Sequence, residues 1–396
     1  MSIPYYLSPE QLRTDLAVRD LSDPSGGPHA IQHIVGRAVA ALSAAWGCEV
    51  RWCRGPRVVP VADNYDRLGY AAQSVTREVR YTRYVAAGRM LRSHATAMVP
   101  PALRQLAAEP QAAAEPEASP STGASRDVLL VCPGIVYRRD AIDWQHTGTP
   151  HQLDLWRITS RPMTGRDLDE MIATLLDALV PGMPSAQHDR VHPYTVGGRQ
   201  IDVRTGEHSV GEHSVGKQWV EVWECGLAHP EVLAAAGLAG RGGLALGMGL
   251  DRMLMLVKGI PDIRLLRSAD PRVARQMLDL APYQRVSAMP AVVRDMSVAV
   301  AAGEDEETLG DRVREALGAD AACVEEVRVL SATPCSQLPP AALERLGASP
   351  GQQNLLVRVV LRDLDATLTR QAANDLRNRI YQALHAGTRQ QLAGTG

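Results

Sequence analysis

The chain has 396 residues, 45% of them hydrophobic, which is enough for two or three domains with sizeable cores. A net charge of −2 and a pI near 6.6 argue neither for nor against nucleic-acid binding, so any RNA contact must rest on local patches. No apolar run approaches the ~20 residues of a membrane span, and the opening Met-Ser-Ile-Pro-Tyr-Tyr lacks the basic and apolar regions of a signal peptide.

Residues 1–27 read as an N-terminal extension with a short helix, Ser8 to Val18, and a Gly/Pro-rich turn. From His29 to Trp46 apolar residues recur at helical spacing (Ile31, Ile34, Val35, Val39, Leu42), and Gly47 ends the helix. Val50 to Val61 has strand character around Gly55-Pro56, residues 62–90 show no usable period, and Val99 to Leu106 is helical. Glu109 to Ser125 is rich in Ala, Pro, Glu and Ser and reads as a flexible surface loop, within an insertion spanning 107–126.

Val128 to Val136 is an apolar run that reads as a buried strand, and His151 to Ile158 reads as a strand returning beside it. The polar loop between them carries Asp143, His146, Gly148 and Pro150. Side chains alternate faces along a strand. Arg138 and Asp140 should therefore share one face of the first strand, and Gln152 and Asp154 one face of the second. Such a hairpin gathers a guanidinium, two carboxylates, an amide and an imidazole around a cavity that suits a phosphate beside an amine. A surface hairpin with ordinary ion pairs is the alternative.

Asp167 to Val180 is an amphipathic helix (Leu168, Met171, Ile172, Leu175, Leu176, Leu179), stopped by Pro181-Gly182. Strand-like runs follow around Tyr194, Ile201 and Val203. A tandem Glu-His-Ser-Val-Gly at 207–211 and 212–216 is either a lengthened hairpin loop or a pair of metal-binding histidines. Trp219 to Val222 is a strand and Pro230 to Ala236 a short helix. Leu244 to Gly249 alternates apolar residues with Ala and Gly, then yields to a helix from Leu250 to Val257. Arg252 thus falls near a helix N-terminus, where backbone amides favour an anion; a tight strand-to-helix turn explains the glycines equally well.

From Ala288 the pattern changes to strand (Ala291 to Ala301), helix (Glu306 to Ala316), strand (Val324 to Leu330), strand (Gln353 to Leu361) and helix (Thr369 to Leu384). That order is compatible with a small ferredoxin-like α+β domain. Cys48, Cys53, Cys132, Cys225, Cys323 and Cys335 form no Cys-x-x-Cys pair, which fits reduced thiols in a cytoplasmic protein.

Taken together, these stretches resemble the catalytic α-type chain of phenylalanyl-tRNA synthetase, a class II aminoacyl-tRNA synthetase, and especially its single-chain organellar form. Val136-Tyr-Arg138-Arg-Asp140, His146 and His151-Gln152-Leu-Asp154 look like motif 2 of that family. Gly247-Met-Gly-Leu-Asp-Arg252 with Gly259-Ile-Pro-Asp-Ile-Arg264 looks like motif 3. Leu91-Arg-Ser-His94-Ala-Thr96 resembles the substrate segment, Gly55-Pro56 with Asn64-Tyr-Asp resembles motif 1 and the segment after it, and Val220-Glu221-Val-Trp-Glu224-Cys225-Gly226 resembles the pocket strand. Met289 to Asp295 and Asp365 to Thr369 resemble the ends of the family's C-terminal anticodon-binding domain. The resemblance covers most of residues 28–390.

It implies an α+β fold: a class II antiparallel sheet flanked by helices over 28–280, then a ferredoxin-fold anticodon-binding domain over 286–396. It also implies activation of an aromatic amino acid by Mg-ATP as the adenylate, then transfer to tRNA. Arg138 and Arg252 would be catalytic and would bind ATP together with Asp140 and His146. His94, Thr96, Gln152, Asp154, His192, Tyr194, Glu224 and Ala245 would bind the amino acid, and Glu221 would support Mg²⁺. Arg358, Arg362, Arg370, Arg377, Arg379 and Arg389 would offer a tRNA surface. No separate large subunit would be required, with monomer and homodimer both open. A paralogue with a non-tRNA acceptor and a non-catalytic tRNA-binding protein are the alternatives.

The chain also departs from the family. It reads His192-Pro-Tyr194-Thr195-Val196-Gly197 where the family has Phe-Pro-Phe-Thr-Glu-Pro. Glu224 replaces a glycine, Pro150 an aromatic residue and Asp154 a glutamate. Tyr194 and His192 would bond a ring hydroxyl, and a site built for a hydroxyl rejects its absence by ~10⁴ or more in favourable cases. Phenylalanine is absent from the chain altogether. A paralogue that works while phenylalanine decoding is starved gains by containing none. Drift under a composition bias, visible also in lysine occurring only at Lys217 and Lys258, is the rival account.

Overall fold

The computed structural model describes residues 6–77, 82–109, 127–204, 219–286, 289–349 and 351–389. The stretch beyond Glu109 and the tandem Glu-His-Ser-Val-Gly repeat lie outside the described residues. Two compact units emerge, and the first comprises Met1–Arg138, Thr149–Pro261 and Met277–Tyr283.

In the first unit, α1 (Pro9–Ala17) opens on a capping box in which the Ser8 hydroxyl accepts from the Gln11 amide and Gln11 accepts from the Ser8 amide. Helix α2 (Ala30–Trp46) is capped by the His29 side chain and ended by Gly47 at φ 61°, and it buries Ile31, Ile34, Val35, Ala38 and Leu42 as one stripe. The apolar run over 50–61 is divided around Gly55-Pro56 into β1 (Glu49–Trp52), β2 (Val58–Pro60) and the start of α3 (Val61–Asn64). There follow β3 (Tyr84–Ala86), β4 (Arg89–Leu91), α4 (Val99–Ala108), β5 (Val128–Ile135), β6 (His151–Thr159), α5 (Gly165–Leu179) and β7 (Ser185–Asp189). The unit continues through β8 (Thr195–Arg204), β9 (Trp219–Ala228), α6 (Pro230–Ala235), β10 (Gly242–Gly249) and α7 (Leu250–Lys258).

Seven strands form one sheet in the order β1-β5-β6-β10-β9-β8-β7, and every pair except β1–β5 is antiparallel. Strand β5 is buried at every position. Its Leu130 and Cys132 pack with Leu103 and Leu106 of α4 and with Leu233 of α6. Helix α2, packed on α5 and α7, covers the opposite face. Covering both faces explains why β5 reads as a continuous apolar run instead of an alternation.

The pairing of β5 with β6 ends at Ile135 opposite His151. Arg138 and Asp140 are therefore not on a strand, and the expectation that they share a strand face is corrected. Backbone past Ile135 has lost its ladder partners, so period-two alternation no longer governs it. Gln152 and Asp154 do share a face of β6.

Lys258 ends α7 with its side chain buried. Its ammonium donates to the carbonyl oxygens of Asp279 (2.9 Å) and Ala281 (2.5 Å). Lys258→Met would leave those carbonyls without their donor inside the unit. We expect a loss of about 2–3 kcal/mol, read as a lower urea midpoint, and an unchanged midpoint would refute this tie.

The second unit comprises Arg139–Gly148, Asp262–Gln276 and Gln284–Gly396. It holds α8 (Pro271–Ala274), β11 (Val292–Ala301), α9 (Glu306–Leu317), β12 (Val324–Pro334), α10 (Pro340–Leu346), β13 (Gln352–Leu361) and α11 (Arg370–Leu384). Its sheet is antiparallel in the order β11-β13-β12. Val298, Leu309, Val313, Val357 and Ile380 sit in the core between sheet and helices. The segment Arg139–Gly148 docks within this unit. Arg314 donates to the carbonyls of Asp140 and, at 2.6 Å, Ala141, while the Val327 amide donates to Ile142 at 2.8 Å. A Cβ on Gly310 would come within 2.7 Å of the Asp140 carbonyl oxygen, so only glycine allows this approach.

Candidate functional site

One face of the large sheet, between β6 and β9, has a floor made of small residues. The cross-strand register sets Gln152 opposite Gly249, Asp154 opposite Gly247 and Trp156 opposite Ala245. On the next strand Glu224 pairs with Gly247 and Gly226 with Ala245. Glycine at 247 leaves a trough between the carboxylates of Asp154 and Glu224. A Cβ on Gly226 would lie 2.8 Å from the Thr195 Cβ, so β8 closes over the floor only because that position is glycine.

Above the trough stand aromatic rings. Tyr194 lies with its centroid 6.0 Å from Trp156, 5.2 Å from His192 and 6.2 Å from Tyr70, and Tyr70 lies 5.8 Å from His94. Burial holds the Tyr70 and Tyr194 phenols well above their ordinary range, so both stay neutral. His94 is also neutral: burial, then the Arg138 charge, lowers it to about 3. Its Nε2 lies 3.3 Å from the Asn64 amide nitrogen.

Asp154 is the most strongly perturbed group of the trough. Burial pushes its carboxyl up to about 7, against the neighbouring polar groups of Thr96 and Trp156 and the fields of His192 and Arg138 that pull it down. Gln152 on the same strand face accepts from the Ala95 amide at 3.1 Å, which fixes its orientation. His151, immediately before, is buried and locked to α7. Its ring Nδ1 lies 2.9 Å from Asp251 Oδ1, and its amide donates to the other carboxylate oxygen. Because Asp251 precedes Arg252, this clasp ties the start of β6 to the helix turn that carries Arg252.

At the other wall, Glu224 Oε2 is 2.9 Å from His192 Nε2 and Oε1 is 2.6 Å from Arg190 Nε. Burial raises this carboxyl, and the His192 hydrogen bond together with the Arg190 guanidinium outweighs it, leaving Glu224 below its usual range. Glu221 is three residues away and would face the opposite side of an ordinary strand. A bulge sets Gln200 opposite Glu224 and Asp202 opposite Glu221, so both glutamates share the trough face. Burial and the Glu224 charge raise the Glu221 carboxyl.

Arg138 donates from Nε to the Ser93 carbonyl at 2.8 Å and has no carboxylate within ion-pair distance among the described residues. Arg252 donates to the Glu221 carbonyl at 3.3 Å and lies 3.8 Å from its carboxylate. Asp140 and His146 belong to the second unit, on the segment Arg139–Gly148. There Asp143 accepts from the His146 ring at 2.6 Å and from the amides of Gln145 and His146. Of the six arginines expected to form an RNA surface, Arg358, Arg362, Arg379 and Arg389 are paired to Asp295, Glu325, Asp320 and Glu344.

Tyr70 and Arg190 were not anticipated. Tyr70 follows Gly69, whose left-handed turn is a local signal, but the surrounding segment has no period to say which way the ring points. Arg190 is legible only through its partner, because Glu224 at a half-buried strand position calls for a cation.

A family model for the class II core domain (F) of tRNA synthetases matches residues 14–277. The chain belongs to that family, and its helix-flanked antiparallel sheet is the family's core. It is 27% identical over 264 residues to the phenylalanine–tRNA ligase alpha subunit of Nostoc punctiforme, covering 66% of this chain and 70% of that one. It is 30% identical over 267 residues to the alpha subunit from Streptomyces avermitilis, covering 64% and 70%. The chloroplastic/mitochondrial phenylalanine–tRNA ligase of Arabidopsis thaliana is 25% identical over 340 residues, covering 82% of this chain and 68% of that one. Among such relatives the chain spans between 61% and 74% of their length. No helix among the described residues is long and apolar enough to cross a membrane.

Proposed function

We propose that the chain is an ATP-dependent aminoacyl-tRNA ligase that activates phenylalanine or a related aromatic amino acid and transfers it to tRNA. One observation carries the reading. Arg138 is a cation with no carboxylate partner among the described residues, and Asp154, within its field, is a buried acid with no cation in ion-pair contact. An amino acid supplies both missing charges: its ammonium meets Asp154, and its carboxylate, with the α-phosphate under attack, meets Arg138.

In this reading the amino acid's carboxylate oxygen attacks the α-phosphorus of ATP and pyrophosphate leaves. Arg138 stabilises the charge that builds on the α-phosphate oxygens, and Arg252 holds the departing phosphates. Gln152, Thr96 and His94 fix the polar end of the amino acid, while Tyr194 and Ala245 bound its ring. Mg²⁺ bound mainly through ATP phosphates needs only one or two protein carboxylates. Glu221 fits that demand, whereas no cluster of three metal-binding side chains exists among the described residues. When bound, the ion would neutralise phosphate charge.

The second unit is assigned to tRNA. The alignment with the plant organellar enzyme covers more of the chain than the family model does, which supports this assignment. With four of the six arginines paired, RNA contact falls more on Arg370 and Arg377. Incubation with ATP, aromatic amino acids and total tRNA should give aminoacyl-tRNA. Adenylate formation without any charging of tRNA would limit the activity to activation, and no adenylate at all would end the ligase reading.

A further inference from the structure

The far wall of the trough is polar in a way that an unsubstituted phenyl ring cannot use. Glu224 projects from β9 beside the Gly247 gap, opposite Asp154. Its carboxylate stays ionised between His192 and Arg190. His192 occupies one oxygen. The other, Oε1, is buried and lies 2.6 Å from Arg190 Nε as an ion pair. A carboxylate offers about four acceptor positions, so two partners leave this one with capacity for a further donor. Tyr70 and Tyr194 lie within the same electrostatic neighbourhood, so the group that ends beside Glu224 also lies against aromatic rings.

Resting on the ligase reading above, we propose that Glu224 selects an aromatic amino acid whose ring carries a hydroxyl group, accepting that hydroxyl's hydrogen bond while Asp154 takes the ammonium. The carboxylate then gains a donor on substrate binding. A phenyl ring would instead cover it with an apolar edge and leave a buried charge underbonded. Hydrogen bonds to charged groups and the penalty for leaving them unmade act in the same direction, which gives discrimination on the order of 100-fold.

The test is ATP–pyrophosphate exchange with phenylalanine, para-tyrosine, meta-tyrosine and 3,4-dihydroxyphenylalanine. At least one hydroxylated amino acid should exceed phenylalanine in kcat/KM by on the order of 100-fold. Glu224→Ala should bring that ratio close to one. Glu224→Gln, which keeps an acceptor oxygen and the side chain's volume, should retain part of it, and thermal midpoints of both variants establish that they fold. Exchange with phenylalanine above every hydroxylated analogue would overturn this inference and leave the ligase reading standing. A preference that survives in both variants would overturn the assignment to Glu224. Exchange with none of the four would overturn the ligase reading and this inference with it.

Discussion

Asp154→Asn is expected to raise the KM for the amino acid by ~10²–10³-fold and, at pH 8, to make the unliganded protein more stable than the parent. Both effects follow from one burial. The Asp154 carboxyl moves from its ordinary 3.8 to about 7 on folding, so the folded chain binds this proton more tightly than the unfolded chain does. The stability gained from the protonated form is complete below about pH 4 and is lost as pH rises through about 7. Above that, the empty pocket carries a desolvated negative charge, at a cost of at most ~4 kcal/mol. Asparagine keeps the shape and removes the charge. Thermal melts at pH 5 and pH 8 should show the gain chiefly at pH 8, and a destabilised variant at pH 8 would contradict the account. The parent's KM should rise about tenfold per pH unit below 7, because the acid must release its proton to meet an ammonium. In the variant this slope should vanish.

Arg138→Ala is expected to lower kcat for adenylate formation by ~10²–10³-fold while shifting stability little. The guanidinium makes a bond from Nε to the Ser93 carbonyl and contacts no carboxylate, so its removal leaves no buried charge without its counterpart. Arg138→Lys should restore little, since an ammonium cannot bond Ser93 and present a planar fork forward at once. Single-turnover measurement of pyrophosphate release would separate kcat from ATP binding. A variant changed only in the KM for ATP would move Arg138 from transition-state stabilisation to simple phosphate binding.

The helices were the most legible part of the chain, because burial on one side writes a 3.6-residue stripe into α2 and α5. Strand β5 was legible for the opposite reason, as every position is covered. Strand β7 was not anticipated. It is an edge strand whose residues Ser185–Asp189 are exposed or half-exposed, so no apolar alternation marks it. The extent of the first hairpin strand was misjudged, because polar residues past Ile135 look like the solvent side of a strand until the ladder is seen to stop. The residues of the trough were readable as types, but not their facing. Glu221 and Glu224 share a face only through a bulge, and a bulge leaves no fixed signature in composition. Tyr70 stayed hidden because an irregular segment carries no period from which to aim a side chain.

The departures from family pattern gain physical content from this geometry. Glu224 would be costly at a half-buried strand position without compensation, and His192 and Arg190 provide it. Three polar residues thus form one arrangement, so a change at any of them should couple to the others in a double-mutant cycle.

The most direct test of a single site joining Asp154 to Arg138 is calorimetric titration with a non-hydrolysable aminoacyl-adenylate analogue bearing an aromatic side chain. The parent should bind one equivalent, and Asp154→Asn and Arg138→Ala should each weaken binding by at least ~30-fold, with the double variant departing from additivity. Equal affinity in the parent and both single variants would contradict the account.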